Sequence, residues 1–183
     1  MYNNTLTALR GVKVGHSTHL DKLTGCTVIL FDAPCQVAYK SYGGSVGTFG
    51  SDAIKSDKTD YPERGIFIAG GSMTGLMSAS SIMECMRRDK IGPATGVNSD
   101  IYNPSIFGAI VYDQGMHIAP YNPEYGREAY ERATYQPVPN GNVGAGTGTS
   151  VGKFRWVEAG TKSGAMKAGV GSARIDLGNG IVV

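Results

Sequence analysis

"GIFIAGGSMTGLMSASSIMECMRRDK", residues 65–90, is the stretch on which the fold turns. Its first part, 65–71, is a continuous apolar run closed by two glycines, the pattern of a strand buried on both faces. Ser72 stands where a helix cap belongs. Apolar residues then recur at 73, 76, 77, 83 and 86, which predicts a helix over Met73–Lys90. Small residues at 75 and 78–81 suit close packing of that helix on a sheet.

Working outward, "GVKVGHS" (11–17), "CTVILFD" (26–32) and "CQVAYKSY" (35–42) read as strands bounded by Gly, Pro, Asp or Ser. "FGAIVYD" (107–113) reads as a further buried strand. In "NPEYGREAYERAT" (122–134), Asn122 is placed as an N-cap, Pro123 as the first helical residue and Glu124 in the first turn, which predicts a second helix. Asn179-Gly180 is the two-residue turn of a terminal hairpin. The mixture is α/β or α+β with sheet as its main element. With neither linker nor repeat, residues 1–183 read as a single domain. The final "IVV" begins an apolar strand directly after that turn, so more polypeptide is expected to follow it, in the gene or as a separate chain.

Bulk composition excludes several classes. Seventeen basic against fifteen acidic residues give a net charge of +2, far from the footprint of a nucleic-acid binder. Only Arg87, Arg88 and Lys90 bunch, at a helix end where they complement the dipole. No stretch approaches the ~18 apolar residues of a membrane span, and the N-terminus lacks the apolar region of a secretory signal. Cys26, Cys35 and Cys85 have no metal-type spacing, and His16 with His19 lacks a third ligand, so no metal site is expected. A reduced, cytoplasmic protein is the resulting expectation. Glycine is the outlier at 27 residues, about twice its usual share, in clusters that imply tight turns and close backbone approaches.

The densest of those clusters is "GNVGAGTGTSVGK", residues 141–153. A phosphate-binding P-loop needs glycine at 147 and Ser or Thr at 154, which are Thr147 and Phe154. The dinucleotide pattern fails at Thr149 and Val151. Two readings stand: a structural crossover lying flush against a neighbour, or a bare-backbone turn whose amides and Lys153 border a reaction centre.

"GVKVGHST", "TGCTVILF", "YGGSVGT", "IFIAGGSMTGL", "AIVYD", "GNVGAGTGTSVGK" and "GVGSARIDLGNGIVV" occur together and in order from about Gly11 to Val183. That ordered set resembles the L-aminopeptidase/D-esterase family, peptidase family S58, which is similar to the β-peptidyl aminopeptidases and nylon-oligomer endohydrolases. The resemblance implies an αββα sandwich of the N-terminal-nucleophile hydrolase type, incomplete without a small subunit. It also implies self-cleavage of a precursor, with the new N-terminal Ser or Thr of the small subunit as nucleophile and its own α-amine, or a nearby group, as base. No cofactor is implied.

By position, Tyr112 matches a family tyrosine that donates to substrate or oxyanion; otherwise it is a strand tyrosine with a satisfied hydroxyl. Lys153 matches a lysine near the nucleophile; otherwise it is a solvated surface residue. Gly70, Gly71 and Ser72 resemble a pocket wall, Ser72 being otherwise a helix cap, and Asn142 sits in the glycine motif in a turn role. The family's nucleophile and oxyanion-hole asparagine fall beyond Val183, so this chain alone is expected to be inactive. It is then the large-subunit portion of a longer enzyme, one half of a split or truncated gene, or a degenerate, non-catalytic member kept for assembly. Expected partners are a peptide or amide substrate, the segment carrying the nucleophile, and copies of itself in a homo-oligomer, with no nucleic acid and no membrane.

Overall fold

A computed structural model describes residues 3–58, 62–95, 97, 100–115, 119–155 and 164–183. The chain opens with strands β1 (Val12–His19) and β2 (Thr24–Cys35), then a short β3 (Thr48–Phe49) and β4 (Glu63–Ala69). A 3₁₀ segment over Ser72–Met77 leads into helix α1 (Ser78–Arg88), followed by β5 (Phe107–Ile110) and helix α2 (Tyr125–Glu131). The two-residue strands β6 (Ser150–Val151) and β7 (Met166–Lys167) pair with each other, as do β8 (Asp176–Gly178) and β9 (Ile181–Val182).

Five strands form the main sheet in the order β1-β2-β4-β5-β3. All neighbours are antiparallel except β4 and β5, which run parallel and are joined through α1. Because side chains alternate across a strand, the register assigns two faces. Val28, Phe67 and Ala69 point to one, where Ile82, Cys85 and Met86 of α1 and Tyr125 and Ala129 of α2 close a core with almost no exposure. On β1, Ser17 on the same face donates to Glu128 Oε2 of α2 at 2.8 Å, and the His19 ring stacks on Tyr125 at 3.8 Å. These contacts fasten the second helix to the sheet.

The opposite face carries Val14 and His16 of β1, Thr27 and Ile29 of β2, Ile66 and Ile68 of β4, and Phe107 of β5. Residues 65–71 were expected to be buried on both sides; Ile68 is instead 37% exposed. The run is apolar on both sides, but among the described residues only the helix side is sealed; the other is covered only in part. An open groove of about 280 Å³ lies on this face, lined by Thr27, Ile29, Ile68, Val111, Ala145 and Val170 among others.

Four local expectations change. The helix begins at Ser78 rather than Met73, because the preceding turn winds as 3₁₀, three residues per turn. That tighter winding rotates Met73 and Met77 outward, and the buried stripe becomes Ala79, Ile82, Cys85 and Met86. Ser72 makes no capping bond and lies at φ 55 in the left-handed region. Residues 36–42 form no strand; there the Tyr39 ring meets that of Phe107 at 5.3 Å, a side-chain contact in place of ladder bonds. The second helix begins at Tyr125 rather than Pro123, with Glu124 at the cap position and no side-chain capping bond; Asn122 Oδ1 accepts the Glu124 N–H at 3.1 Å in the turn that leads into it. The Asn179-Gly180 turn is present with both residues at positive φ. No helix among the described residues is long and apolar enough to cross a membrane.

Candidate active site

The glycine loop answers its own question through its hydrogen bonds. The Gly144 N–H donates to Thr18 Oγ1 at 2.8 Å and the Ala145 N–H to Thr27 Oγ1 at 3.0 Å. The amides of Gly146 and Thr147 turn back to the carbonyls of Val143 and Gly144. These donors are consumed by the sheet and by the loop itself, so no anion cradle of the P-loop kind forms there. The loop is a crossover pressed onto the open face of β1 and β2. It then delivers Lys153.

Beyond Ile110 the chain leaves the sheet. The Val111 N–H still donates to the Ala69 carbonyl at 2.7 Å, and the Ser72 N–H donates to the Val111 carbonyl at 3.2 Å. The glycine corner after β4 and the extension of β5 are thereby stitched side by side, which sets Gly70, Gly71 and Ser72 against Tyr112. Lys153 Nζ lies over the Tyr112 ring, 5.6 Å from its centroid, a cation–π contact. Tyr112 is 43% exposed, and Lys153 is half-buried. Burial lowers the pKa of the Lys153 ammonium from the ordinary lysine value, while attraction from Asp113 acts in the opposite sense.

Asp113, not singled out in the sequence, is the centre of this corner. Its side chain has no exposure. Oδ1 accepts the Gly71 N–H at 2.8 Å and Oδ2 accepts the Thr24 hydroxyl at 2.7 Å. A Cβ on Gly70 would run into that carboxylate and the Thr24 hydroxyl, and one on Gly148 into the Leu23 carbonyl. Those two glycines are therefore required by close approach. The available signal was a carboxylate placed directly after an apolar run, in "FGAIVYD".

Gly70, Gly71, Ser72, Tyr112 and Lys153 thus meet at one corner. Asn142 is placed differently: it is exposed, beside Gly141, whose N–H and carbonyl bond to Val170. Beneath the corner, Tyr121 OH and Ser78 Oγ share a 2.8 Å hydrogen bond, and burial pushes the neighbouring Cys26 thiol up to about 12. That thiol stays protonated and inert at neutral pH. Chemically, the corner brings a partly desolvated ammonium over the ring of a phenol that is itself part-exposed.

The model of peptidase family S58 matches residues 4–181. The chain belongs to peptidase family S58. It is 28% identical over 191 residues to an uncharacterised aminopeptidase of Mycobacterium tuberculosis, covering 98% of this chain and 51% of that one. It is 29% identical over 148 residues to the 6-aminohexanoate-oligomer endohydrolase of Paenarthrobacter ureafaciens, covering 80% of this chain and 38% of that enzyme. The S58 chain spans about half the length of the curated relatives it matches, or less.

Its fold is similar to that of the L-aminopeptidase D-Ala-esterase/amidase from Ochrobactrum anthropi, described as a variant of the Ntn hydrolase fold. The TM-score is 0.63 at 21% identity, covering 80% of this chain and 44% of that one. The S58 fold expected from the motif order is the one found, and the described residues supply an α layer and a β layer of it.

Proposed function

We propose that this S58 chain is the large-subunit portion of a self-processing hydrolase that cleaves amide bonds in small peptides or peptide-like oligomers. One observation carries the reading. Tyr112 and Lys153, supplied by separate segments, converge beside the bare Gly70–Gly71 backbone. The names of the relatives, an aminopeptidase and an amide-oligomer endohydrolase, support the reaction class.

In the proposed reaction, the hydroxyl of an N-terminal Ser or Thr on a small subunit attacks the amide carbonyl and gives its proton to its own α-amine or a nearby base. Tyr112 OH and the Lys153 ammonium face the developing oxyanion. The tetrahedral species collapses to an acyl-enzyme and releases the protonated amine. Water, deprotonated by the same base, then frees the acid. The chemistry draws on side chains and termini alone, with no cofactor. In this reading the small subunit covers the open sheet face, since Ile29, Ile66 and Ile68 are the inner surface of a sandwich awaiting its second sheet. Copies of the protein then assemble into a homo-oligomer.

The test is to express the gene with any coding sequence that follows Val183 and to look for self-cleavage by mass spectrometry, together with hydrolysis of amino-acid amides. The expected result is two fragments and turnover, reduced about 100-fold or more by Lys153→Met. An intact precursor without turnover overturns the reading in favour of a non-catalytic assembly domain.

A further inference from the structure

The glycine loop is clasped by a second segment, residues 166–170. At one end the Gly141 N–H and carbonyl bond to Val170; at the other the Ala168 N–H donates to the Thr149 carbonyl at 2.9 Å. Strand β6 pairs with β7 through Ser150–Lys167 and Val151–Met166. A Cβ on Gly146 would run into the Val170 amide, and one on Gly169 into the Gly141 backbone, so the two segments lie flush. Between the two ends a single side chain bridges them. Lys167 Nζ donates to the Gly146 carbonyl at 2.9 Å, to the Thr149 carbonyl at 3.3 Å and to the Ala168 carbonyl. Much of the residue is exposed, yet its ammonium turns back onto the buried Gly146.

An ammonium has three N–H donors and no acceptor. Here three main-chain oxygens meet them, so the whole donor capacity is used within the protein. Carbonyl dipoles aimed at one point repel one another unless positive charge stands between them. A neutral side chain would leave them facing each other. A guanidinium brings the charge, but its donors spread in a plane and do not converge on a point. The three oxygens therefore select lysine by charge and by shape.

What the clasp holds is the approach to the candidate site. Among the described residues β6 is paired only with β7, and Lys153 follows two residues after it. The Lys153 ammonium, 5.6 Å from the Tyr112 ring centroid, thus hangs from a strand whose partner carries Lys167.

We propose that Lys167 is a positioning residue: its ammonium is the internal cation of a three-carbonyl cage that fixes the end of the glycine loop and so holds Lys153 over Tyr112. The cage stands on the hydrogen bonds; its consequence for turnover rests on the amide-hydrolase reading above.

The first test needs no substitution. In ¹H–¹⁵N NMR at neutral pH, the Lys167 ammonium protons are expected to exchange with water at least about tenfold more slowly than those of the exposed Lys40, as charge-assisted hydrogen bonds imply. Equal exchange rates refute the cage.

The second test follows the Lys153 side chain by ¹³C-labelled lysine NMR, where the ring current of Tyr112 marks its place. In Lys167→Met the Lys153 signals are expected to move toward those of Lys40. A Lys167 that merely adds stability would lower the melting temperature and leave the Lys153 signals where they are, and that result overturns the proposal. Lys167→Arg keeps the charge and serves if the methionine variant does not fold; it too is expected to displace the Lys153 signals. Unmoved signals with arginine would show that charge without convergent donors suffices, which removes the cage. In a protein that carries the small subunit of the proposed function, Lys167→Met is expected to lower kcat by about ten- to a hundredfold with KM little changed, as for an ångström-scale misplacement. An unchanged kcat overturns the positioning role. Absence of turnover in that unmodified protein would sink the hydrolase reading while leaving the exchange and ring-current results intact.

Discussion

The two faces of β4 are made of the same kind of residue and have opposite fates. Phe67 and Ala69 are sealed under α1 and α2 with no exposure, while Ile66 and Ile68, one residue away, look onto the open side. A strand whose two sides are equally apolar is built to lie between two layers. The difference therefore measures what the described chain covers, not what the strand prefers. It also explains why the corner holding Tyr112 and Lys153 sits where the glycine loop crosses the open side and β5 leaves the sheet.

The comparison can be broken most decisively by truncating one residue on each face. Phe67→Ala removes a fully buried ring and is expected to cost about 3–5 kcal/mol in urea or thermal unfolding. Gly148→Ala tests the seam between the loop and the β1–β2 turn. The added Cβ meets the Leu23 carbonyl, backbone that has little room to move, and a loss of about 2–3 kcal/mol is expected. Ile68→Ala should cost about 1 kcal/mol or less in the isolated chain, because its side chain is already partly solvated. In a protein that carries the small subunit of the proposed function, the same substitution should cost more. Equal costs in the two contexts would mean that this face stays open.

The smallest effect concerns His16, on the open side beneath the glycine loop. Its Nδ1 shares a 2.9 Å hydrogen bond with Thr27 Oγ1, its Nε2 has no partner among the described residues, and burial lowers its pKa. The unfolded chain therefore binds this proton before the native state does. Stability from the neutral ring is present above the ordinary histidine range and is lost as pH falls through and below it. The melting temperature of the unmodified protein should fall more steeply from pH 7 to pH 5.5 than that of His16→Asn. Parallel curves would show that His16 does not titrate differently in the two states.

Much of the fold was legible because its signals are local. β1, β2 and β4 each announce themselves by apolar runs with turn residues at their ends, α2 by Asn122 and Pro123, and the terminal hairpin by Asn179-Gly180. What misled were places where a distant contact overrides a local pattern. "CQVAYKSY" alternates like a strand, yet Tyr39 engages Phe107 through its ring and the backbone does not join the ladder. The helix after Ser72 begins late because its first turn winds as 3₁₀, and there Gly75 packs closely against the Gly70 carbonyl, a contact that no periodicity records. In the site, Tyr112 and Lys153 were picked by position in a motif series, while Asp113 and Thr24 were passed over. A lone acid or threonine carries no pattern until its partner is known.

The sequence by itself determined the order of the long strands and the two helices, the failure of the nucleotide-binding templates and membership of the S58 series, since each depends on residue type at fixed spacing. Only the tertiary structure decided which face of β4 is closed, that the loop's amides are taken by Thr18 and Thr27, and that four separate segments converge on one buried carboxylate. Those outcomes depend on contacts between segments distant along the chain. They are selected by packing and by the need to satisfy every buried polar group, which no short window of sequence contains.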